Sequence, residues 1–319
     1  MIYFITSGTQ ETLEALSHFC YRGIMKEYKS NEELLEHLIS KNVKINNKND
    51  ALVKLDKYTY YSIVNSYKMT FKDFCGNYKE NVTFDEIYAL YNFDKNIKFL
   101  FLKYSLEIEI QIKALMANHI SKLYGIKDYL KVSNLDSNFN IDIKNKLIER
   151  INKEIDNECG VHSAITHYKS KYNFIPPFVL TKILTLGVVS SYYGLLKQSD
   201  RQAIAKKFKI SDKLLKQILK NLTMVRNISA HNDRLFCFRS KHYLSFKDID
   251  NEYIRRDNET NLYMIMTSMK YFLIDDYVIF LKEFLSEVKK LEANLSSISI
   301  RDVLNIMGFP MYKFDLKSI

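Results

Sequence analysis

Proline and glycine are scarce in this chain, with 3 prolines and 8 glycines in 319 residues. These residues supply most tight turns, so their scarcity argues against a fold of many short strands and favours long helices. No apolar run reaches the ~18 residues that a membrane span requires. The apolar residues 1–5 lack the charged flank and cleavage site of a signal peptide. We therefore expect a predominantly helical protein of the cytoplasm that does not bind membranes.

Cysteine is also sparse, and its spacing matches no metal-binding or redox pattern. Cys20, Cys75, Cys159 and Cys237 lie far apart in the sequence, and no Cys-x-x-Cys pair or matching histidine group occurs. We expect these residues to be reduced, buried thiols in a cytosolic protein. The sequence predicts neither a metal site nor a cofactor.

Basic residues outnumber acidic ones by 47 to 37, which gives a formal net charge of +10. A basic protein favours polyanionic partners, although the inflated lysine content of an AT-rich genome would give a similar total. The position of the charge is more informative, because residues 197–220 hold eight basic and two acidic side chains. We predict that this tract binds RNA through Lys206, Lys207, Lys209, Lys213, Lys216 and Lys220.

The tract leads into the most informative segment, residues 226–234. Apolar residues at helical spacing precede it, so we predict that the segment continues a helix. At 3.6 residues per turn, Asn227, His231 and Arg234 share one face of that helix, and Arg226 lies roughly 100° to the side. Polar groups that interrupt an apolar helix are costly unless they pair or line a cleft.

These residue types are suited to RNA cleavage without a metal. A histidine titrates near neutral pH and serves as the base for a ribose 2′-hydroxyl or as the acid for the leaving 5′-oxygen. We predict this role for His231, phosphate stabilisation for Arg226 and a positioning role for Asn227. Arg234 would bind RNA or brace the helix. The bare Arg-x4-His spacing is also frequent by chance on solvated helix faces.

The motif and several further segments together follow one family pattern. Within the motif the matching residues are Arg226-Asn227, Ala230-His231 and Arg234-Leu235. The further segments are Thr166-His167-Tyr168, Pro176-Pro177-Phe178, Leu186-Gly187, Leu90-Tyr91-Asn92-Phe93-Asp94 and Met307-Gly308-Phe309-Pro310. The chain resembles the bacterial abortive-infection proteins of the Abi D/F type, in the HEPN (higher eukaryotes and prokaryotes nucleotide-binding) superfamily. It is also similar to the nuclease domains of type VI CRISPR effectors. Phe178 and Lys182 depart from the family's usual tryptophan and glutamate.

The resemblance implies a HEPN-like, all-α helical bundle at residues 81–319, preceded by a small N-terminal helical segment at residues 1–80. It implies a metal-independent endoribonuclease that acts as a toxin during phage infection on cellular or phage RNA. A small noncoding RNA would restrain it as the antitoxin. His167, which matches the family's His-Tyr pair, would approach the RNA.

Three hypotheses stay open at this point. The first is the ribonuclease. The chain has one Arg-x4-His motif, whereas the CRISPR effectors combine two, so either a homodimer completes the site or a half-site suffices. A second hypothesis is an RNA-binding protein that forms a ribonucleoprotein with a structured noncoding RNA and does not cleave it. A third is a regulatory protein whose helix binds a nucleotide or a protein antitoxin.

Capping residues and apolar periodicity predict the main helices. We expect helices at residues 32–39 after Ser30 or Asn31, from Thr83 through 94–122 to Gly125, at 144–158, at 177–196, at 262–293, and after Ser299. Residues 128–142 are predicted as a polar loop, and residues 239–258 as a charged, irregular insertion.

Overall fold

The computed structural model of the protein describes residues 28–231, 233–244 and 259–310. Most of these residues are helical, which confirms the predicted all-α class. The helices are α1 Asn31–Ile39, α2 Lys48–Tyr58, α3 Phe84–Tyr124, α4 Ile141–Glu158, α5 Ser163–Tyr172, α6 Pro177–Ile183, α7 Leu186–Leu195, α8 Gln198–Ala205, α9 Asp212–Ala230, α10 Leu262–Ser268, α11 Lys270–Leu273, α12 Asp276–Glu292 and α13 Ile300–Met307.

Short elements connect these helices. They are a π-helical turn at Tyr61–Asn65, 3₁₀ turns at Lys68–Phe71, Val132–Asn134 and Lys206–Phe208, and an antiparallel pair of strands, β1 Arg239–Ser240 and β2 Thr260–Asn261. Residues 1–5, Cys20 and most of the predicted insertion at 239–258 lie outside the described residues, so the expectations for them stay predictions.

Helix α3 is the centre of the bundle, because α6, α9 and α12 all pack against it. It is 41 residues long, which corresponds to roughly 60 Å at the rise of an α-helix. Its alternating segment around Ile108 and Ile112 could also have suited a strand, but these residues are fully buried in the continuous helix. Gly125 ends α3 with a φ of 74°, a conformation that glycine adopts without strain.

The predicted helix starts are confirmed where a side chain caps the backbone. Ser30 forms a capping box with Glu33 at α1, Thr83 forms one with Glu86 at α3, and Ser299 precedes α13 in the same arrangement. In each case the cap oxygen accepts an N–H that has no partner within the helix. Local chemistry therefore decides where these helices begin.

Two predictions of long helices are wrong, because each segment is interrupted. Residues 177–196 form α6 and α7, which are separated where Leu184 is extended and the Thr185 side chain caps the second helix. Residues 262–293 form α10, α11 and α12, with Ile274 at a φ of 41° before the last of them. Apolar periodicity continues across both breaks, so the hydrophobic pattern alone did not reveal them.

The segment before α3 packs on its first half. Lys44 pairs with Thr83 in a β-bridge, and the Lys54 ammonium lies 3.1 Å from the Asp85 carboxylate. The division of the chain at residue 80 stays a prediction. No helix within the described ranges is long and apolar enough to span a membrane.

The cysteine prediction is only partly right. Cys75, Cys159 and Cys237 are free thiols, but Cys75 and Cys159 are exposed rather than buried. Cys75 lies in a turn next to Gly76, and Cys159 caps the end of α4, so neither faces the apolar core.

Candidate functional site

The motif occupies the end of α9. Some of its side chains are exposed to solvent, and one faces the neighbouring helix α3. Ser211 caps the start of the helix, and His231 ends it by donating its backbone N–H to the Asn227 carbonyl at 2.9 Å. The side chains of Asn227 and His231 are exposed. Arg226 faces α3 instead and keeps 28% of its side chain exposed.

Arg234 does not share the helix face that the sequence predicted for it. The helix ends at Ala230, and Arg234 lies in the segment that follows. Its Nη1 donates to the backbone carbonyl of Ser66 at 2.8 Å. Arg234 thus ties the end of the motif to the N-terminal segment, and its predicted place on the helix face is wrong.

The Arg226 guanidinium lies beside Glu109, a residue of α3. Its Nε is 3.7 Å from Glu109 Oε2, and its Nη1 is 3.5 Å from Asn227 Oδ1. The other Glu109 oxygen is 2.6 Å from the Lys113 ammonium. The buried carboxylate therefore orients Arg226 from one side while the neighbouring amide contacts it from the other.

This part of the interface between α3 and α9 is polar and incompletely hydrogen-bonded. Glu109 Oε2, Arg226 Nε and the hydroxyls of Ser105 and Ser229 are buried without a hydrogen-bond partner. Ser105 precedes Glu109 by about one turn, and Ser229 follows Arg226 by about one turn, at 3.6 residues per turn. Unsatisfied buried polar atoms are uncommon, and their concentration on both helices marks this region as specialised.

A second carboxylate of α3 fixes the chain after the motif. Asp94 is fully buried and accepts hydrogen bonds from the Tyr67 hydroxyl at 2.6 Å and the Phe236 N–H at 2.6 Å. The Leu235 N–H also donates to it at 3.2 Å, and the Lys98 ammonium is 3.8 Å away. Asp94 therefore holds the exit of α9 against α3.

Burial dominates the titration of this cluster. It raises the pKa of Asp94 above its ordinary value, against the opposing effects of the Tyr67 hydroxyl, Lys98 and the two backbone N–H groups. Burial and the adjacent Asp94 raise the pKa of Tyr67, so the phenol stays protonated and donates. The pKa of Lys98 is lowered by burial.

The predicted basic residues of α9 lie on the same exposed face as the end of the motif. Steps of 100° per residue place Lys213, Lys216, Lys220 and Asn227 within about 60° of one another around the helix axis. The three lysines are exposed, and His231 lies at the end of the same face. The structure thus brings these five predicted residues together on one surface.

A groove of about 420 Å³ runs beside this face, between α7 and α9. Its polar lining includes Lys216, Lys220, Ser190, Ser191 and His242. Burial lowers the pKa of Lys216, with a smaller contribution from Arg201, and burial followed by Lys220 lowers the pKa of His242. The groove is therefore largely apolar, with Lys216 and Lys220 on the side formed by α9.

The remaining predicted residues lie elsewhere. Lys206, Lys207 and Lys209 are exposed on the turn between α8 and α9, which places them before the start of the lysine face. His167 is exposed on α5, where its ring centre is 5.5 Å from Tyr168 and 5.8 Å from Tyr172. His167 therefore belongs to a separate aromatic surface.

The sequence analysis did not predict a role for Glu109. It named Asp94 only as part of a segment that resembles the family. Both acids interrupt the apolar pattern of α3, and that interruption was the available signal. Within the described residues, no group of three or more histidine, cysteine, aspartate and glutamate side chains could hold a metal ion.

The fold and the site define an all-α protein with a histidine at the exposed end of a basic helix. The family model for Abi-like proteins matches residues 53–237, more than half of the chain, and includes Asp94, Glu109 and the motif from Arg226 to Arg234. The chain therefore belongs to the Abi-like proteins, a family of abortive-infection proteins. It matches no curated protein and no solved structure.

Proposed function

We propose that this abortive-infection protein is a metal-independent endoribonuclease toxin of the HEPN type. The observation that carries the proposal is the exposed imidazole of His231, with Asn227 on the same face, where the basic face of α9 ends. The lysine face would attract RNA through its phosphates. The exposed imidazole is accessible to a bound strand.

In this reaction His231 removes the proton of a ribose 2′-hydroxyl, and the resulting oxygen attacks the adjacent phosphorus. The bond from phosphorus to the 5′-oxygen breaks, and an acid protonates the leaving oxygen. The products are a 2′,3′-cyclic phosphate and a 5′-hydroxyl. Arg226 stabilises the charge on the phosphate oxygens, while Glu109 and Asn227 hold its guanidinium in place.

One copy of the motif supplies one imidazole, whereas the reaction uses a base and an acid. Arg226 also points toward α3, about 140° around the helix axis from the face that ends at His231. A homodimer that brings together two copies of the end of α9 would supply both groups. A small noncoding RNA bound along the basic surface would restrain the toxin, and cellular or phage RNA would be its target.

The divergence of Arg226 and His231 also supports a second candidate, an RNA-binding protein that forms a ribonucleoprotein with a structured noncoding RNA without cleaving it. RNA extracted from the purified protein distinguishes the two candidates. A discrete RNA that stays intact in the presence of the wild-type motif supports the second, and cleavage of added RNA supports the first.

His231→Ala tests the ribonuclease directly. We expect cleavage of single-stranded RNA to fall about 10²- to 10⁴-fold, because the variant lacks the acid or base. His37→Ala is the matched control, since His37 is exposed on α1. Cleavage by His231→Ala at the wild-type rate would refute the assignment.

A mixing experiment tests the composite site. Excess Arg226→Ala/His231→Ala double variant is added to a fixed amount of wild-type protein, and the rate per wild-type chain is measured. A homodimeric site predicts that the rate falls as mixed dimers form. An unchanged rate, with subunit exchange verified, would indicate that one motif suffices.

A further inference from the structure

Aromatic rings form an exposed cluster at the junction of α5 and α6, away from the motif. Tyr172 is 46% exposed and Phe178 is 48% exposed. The Tyr168 ring contacts both, with centroid distances of 5.5 Å to Tyr172 and 6.2 Å to Phe178. Phe174 extends the cluster at 6.2 Å from Tyr172. Core packing does not account for rings that leave about half of their surface in solvent.

Cations accompany these rings. The Lys171 ammonium lies 5.2 Å from the Tyr172 ring centre, and the Lys127 ammonium lies 5.0 Å from that of Phe174. No aspartate or glutamate occurs between Glu158 and Asp200 in the sequence. The surface therefore combines exposed π-faces with positive charge, and the acids of the adjoining segments, Asp128 and Asp156, are paired with Lys131 and Lys169.

This combination suits unpaired nucleobases. Bases stack on aromatic side chains, while neighbouring cations meet the phosphates that link them. Bases inside a duplex are already stacked on each other and are not available to such rings. A hydrophobic protein partner would use the same rings, but it would gain nothing from lysines beside them unless it were acidic.

We propose that Tyr172 and Phe178 form a stacking surface for the unpaired bases of an RNA strand, with Lys127 and Lys171 contacting its phosphates. This inference rests on the proposed binding of RNA but not on its cleavage. It gives the exposed His167, which contacts the Tyr172 ring, a place on the same surface.

The test measures binding of a fluorescent oligouridylate by anisotropy, with His231→Ala present in every protein so that the RNA stays intact. Tyr172→Ala/Phe178→Ala removes both rings, and Tyr172→Phe/Phe178→Tyr retains them. Phe74→Ala is the matched control, because Phe74 is a fully exposed aromatic residue of the N-terminal segment. Thermal unfolding verifies that each variant is folded.

We expect the double alanine variant to bind about tenfold or more weakly, whereas the ring-retaining variant and Phe74→Ala bind as their parent does. Because the loss is not ionic, the slope of affinity against salt should stay the same, whereas Lys171→Ala should reduce it by about one phosphate contact. A duplex RNA should show no difference between the variants.

Binding of oligouridylate by the double alanine variant at the parent's affinity would overturn the proposal and favour a protein partner for these rings. Failure of the parent itself to bind at low salt would refute the RNA-binding part of the proposed function, and the stacking surface with it. If the double alanine variant binds oligouridylate more weakly as expected but the wild-type protein does not cleave RNA, the ribonuclease proposal alone is refuted.

Discussion

Helix α3 carries two buried acids, Asp94 and Glu109, that face the chain around the motif. They differ in how completely their carboxylate oxygens are hydrogen-bonded. Asp94 accepts hydrogen bonds from Tyr67, Leu235 and Phe236 at the exit of α9. Glu109 faces Arg226 across 3.7 Å, and the two facing atoms make no hydrogen bond. One carboxylate has a full set of donors, whereas the other keeps one oxygen free of hydrogen bonds.

The difference separates a structural contact from a candidate functional one. A satisfied buried acid stabilises the arrangement of its donors, and removing it leaves those donors unpaired. A long, incompletely bonded ion pair contributes little stability but holds a guanidinium where its forked nitrogens can meet a phosphate. We infer that Asp94 maintains the geometry of the site and that Glu109 positions Arg226 for the proposed reaction.

The largest effect is expected for Asp94→Ala. The substitution leaves the Tyr67 hydroxyl and the backbone N–H groups of Leu235 and Phe236 without the acceptor that Asp94 provides, which should lower the free energy of unfolding by about 3–5 kcal/mol. Urea unfolding followed by circular dichroism measures the change.

Asp85→Ala provides the control, because Asp85 lies on the same helix in a partly exposed pair with Lys54. We expect it to cost about 1 kcal/mol or less. Equal losses in the two variants would show that Asp94 is not the structural contact that its geometry indicates.

Glu109→Gln should affect RNA cleavage rather than the free energy of unfolding. The amide keeps the volume of the side chain but loses the charge that orients Arg226, so we expect RNA cleavage to fall by up to about 100-fold through misplacement of the guanidinium. RNA affinity should stay near that of the wild type, since the lysine face is unaffected. Single-turnover kinetics separate the two quantities.

Glu107→Gln is matched to this variant, because Glu107 is exposed on α3 and accepts a hydrogen bond from the Gln111 amide at 3.3 Å. A structural role for Glu109 would appear as a large loss of stability with an unchanged cleavage rate in the remaining folded protein. That outcome would remove the contrast between the two acids.

Arg234→Ala should lower the free energy of unfolding by about 1 kcal/mol, since it removes the hydrogen bond to the Ser66 carbonyl at an exposed position. Arg150→Ala, a change at an exposed arginine of α4, should have almost no effect. A much weaker RNA affinity with unchanged stability would instead assign Arg234 to RNA binding.

The smallest effect is the pH dependence of the Asp94 contact. Because burial raises its pKa, the folded protein binds this proton at a higher pH than the unfolded chain does. The associated stability is complete below the unfolded pKa of about 4 and is lost as pH rises through the folded pKa. The wild type should therefore lose stability relative to Asp94→Asn as the pH rises above about 4. A relative stability that rises with pH would contradict this direction.

Much of the helical framework could be predicted from short-range chemistry. Ser30, Thr83 and Ser299 begin their helices because a side-chain oxygen and an acid three residues later satisfy the first N–H groups. The break at Thr185 uses a similar cap but was missed, because the apolar residues on both sides continue the helical pattern. Neighbouring residues therefore specify helix starts better than helix interruptions.

The sequence by itself determined the all-α class and the basic face of α9, and it supplied Arg226, Asn227 and His231 as candidate site residues, because all of these depend on residues close together in the chain. Only the tertiary structure decided that Arg226 faces Glu109, which lies far from it in sequence, and that Arg234 ends in a contact with Ser66. The orientation of a side chain at the end of a helix depends on what packs beside it. For this protein the packing of α9 on α3 places Arg226 and His231 on different sides of one helix.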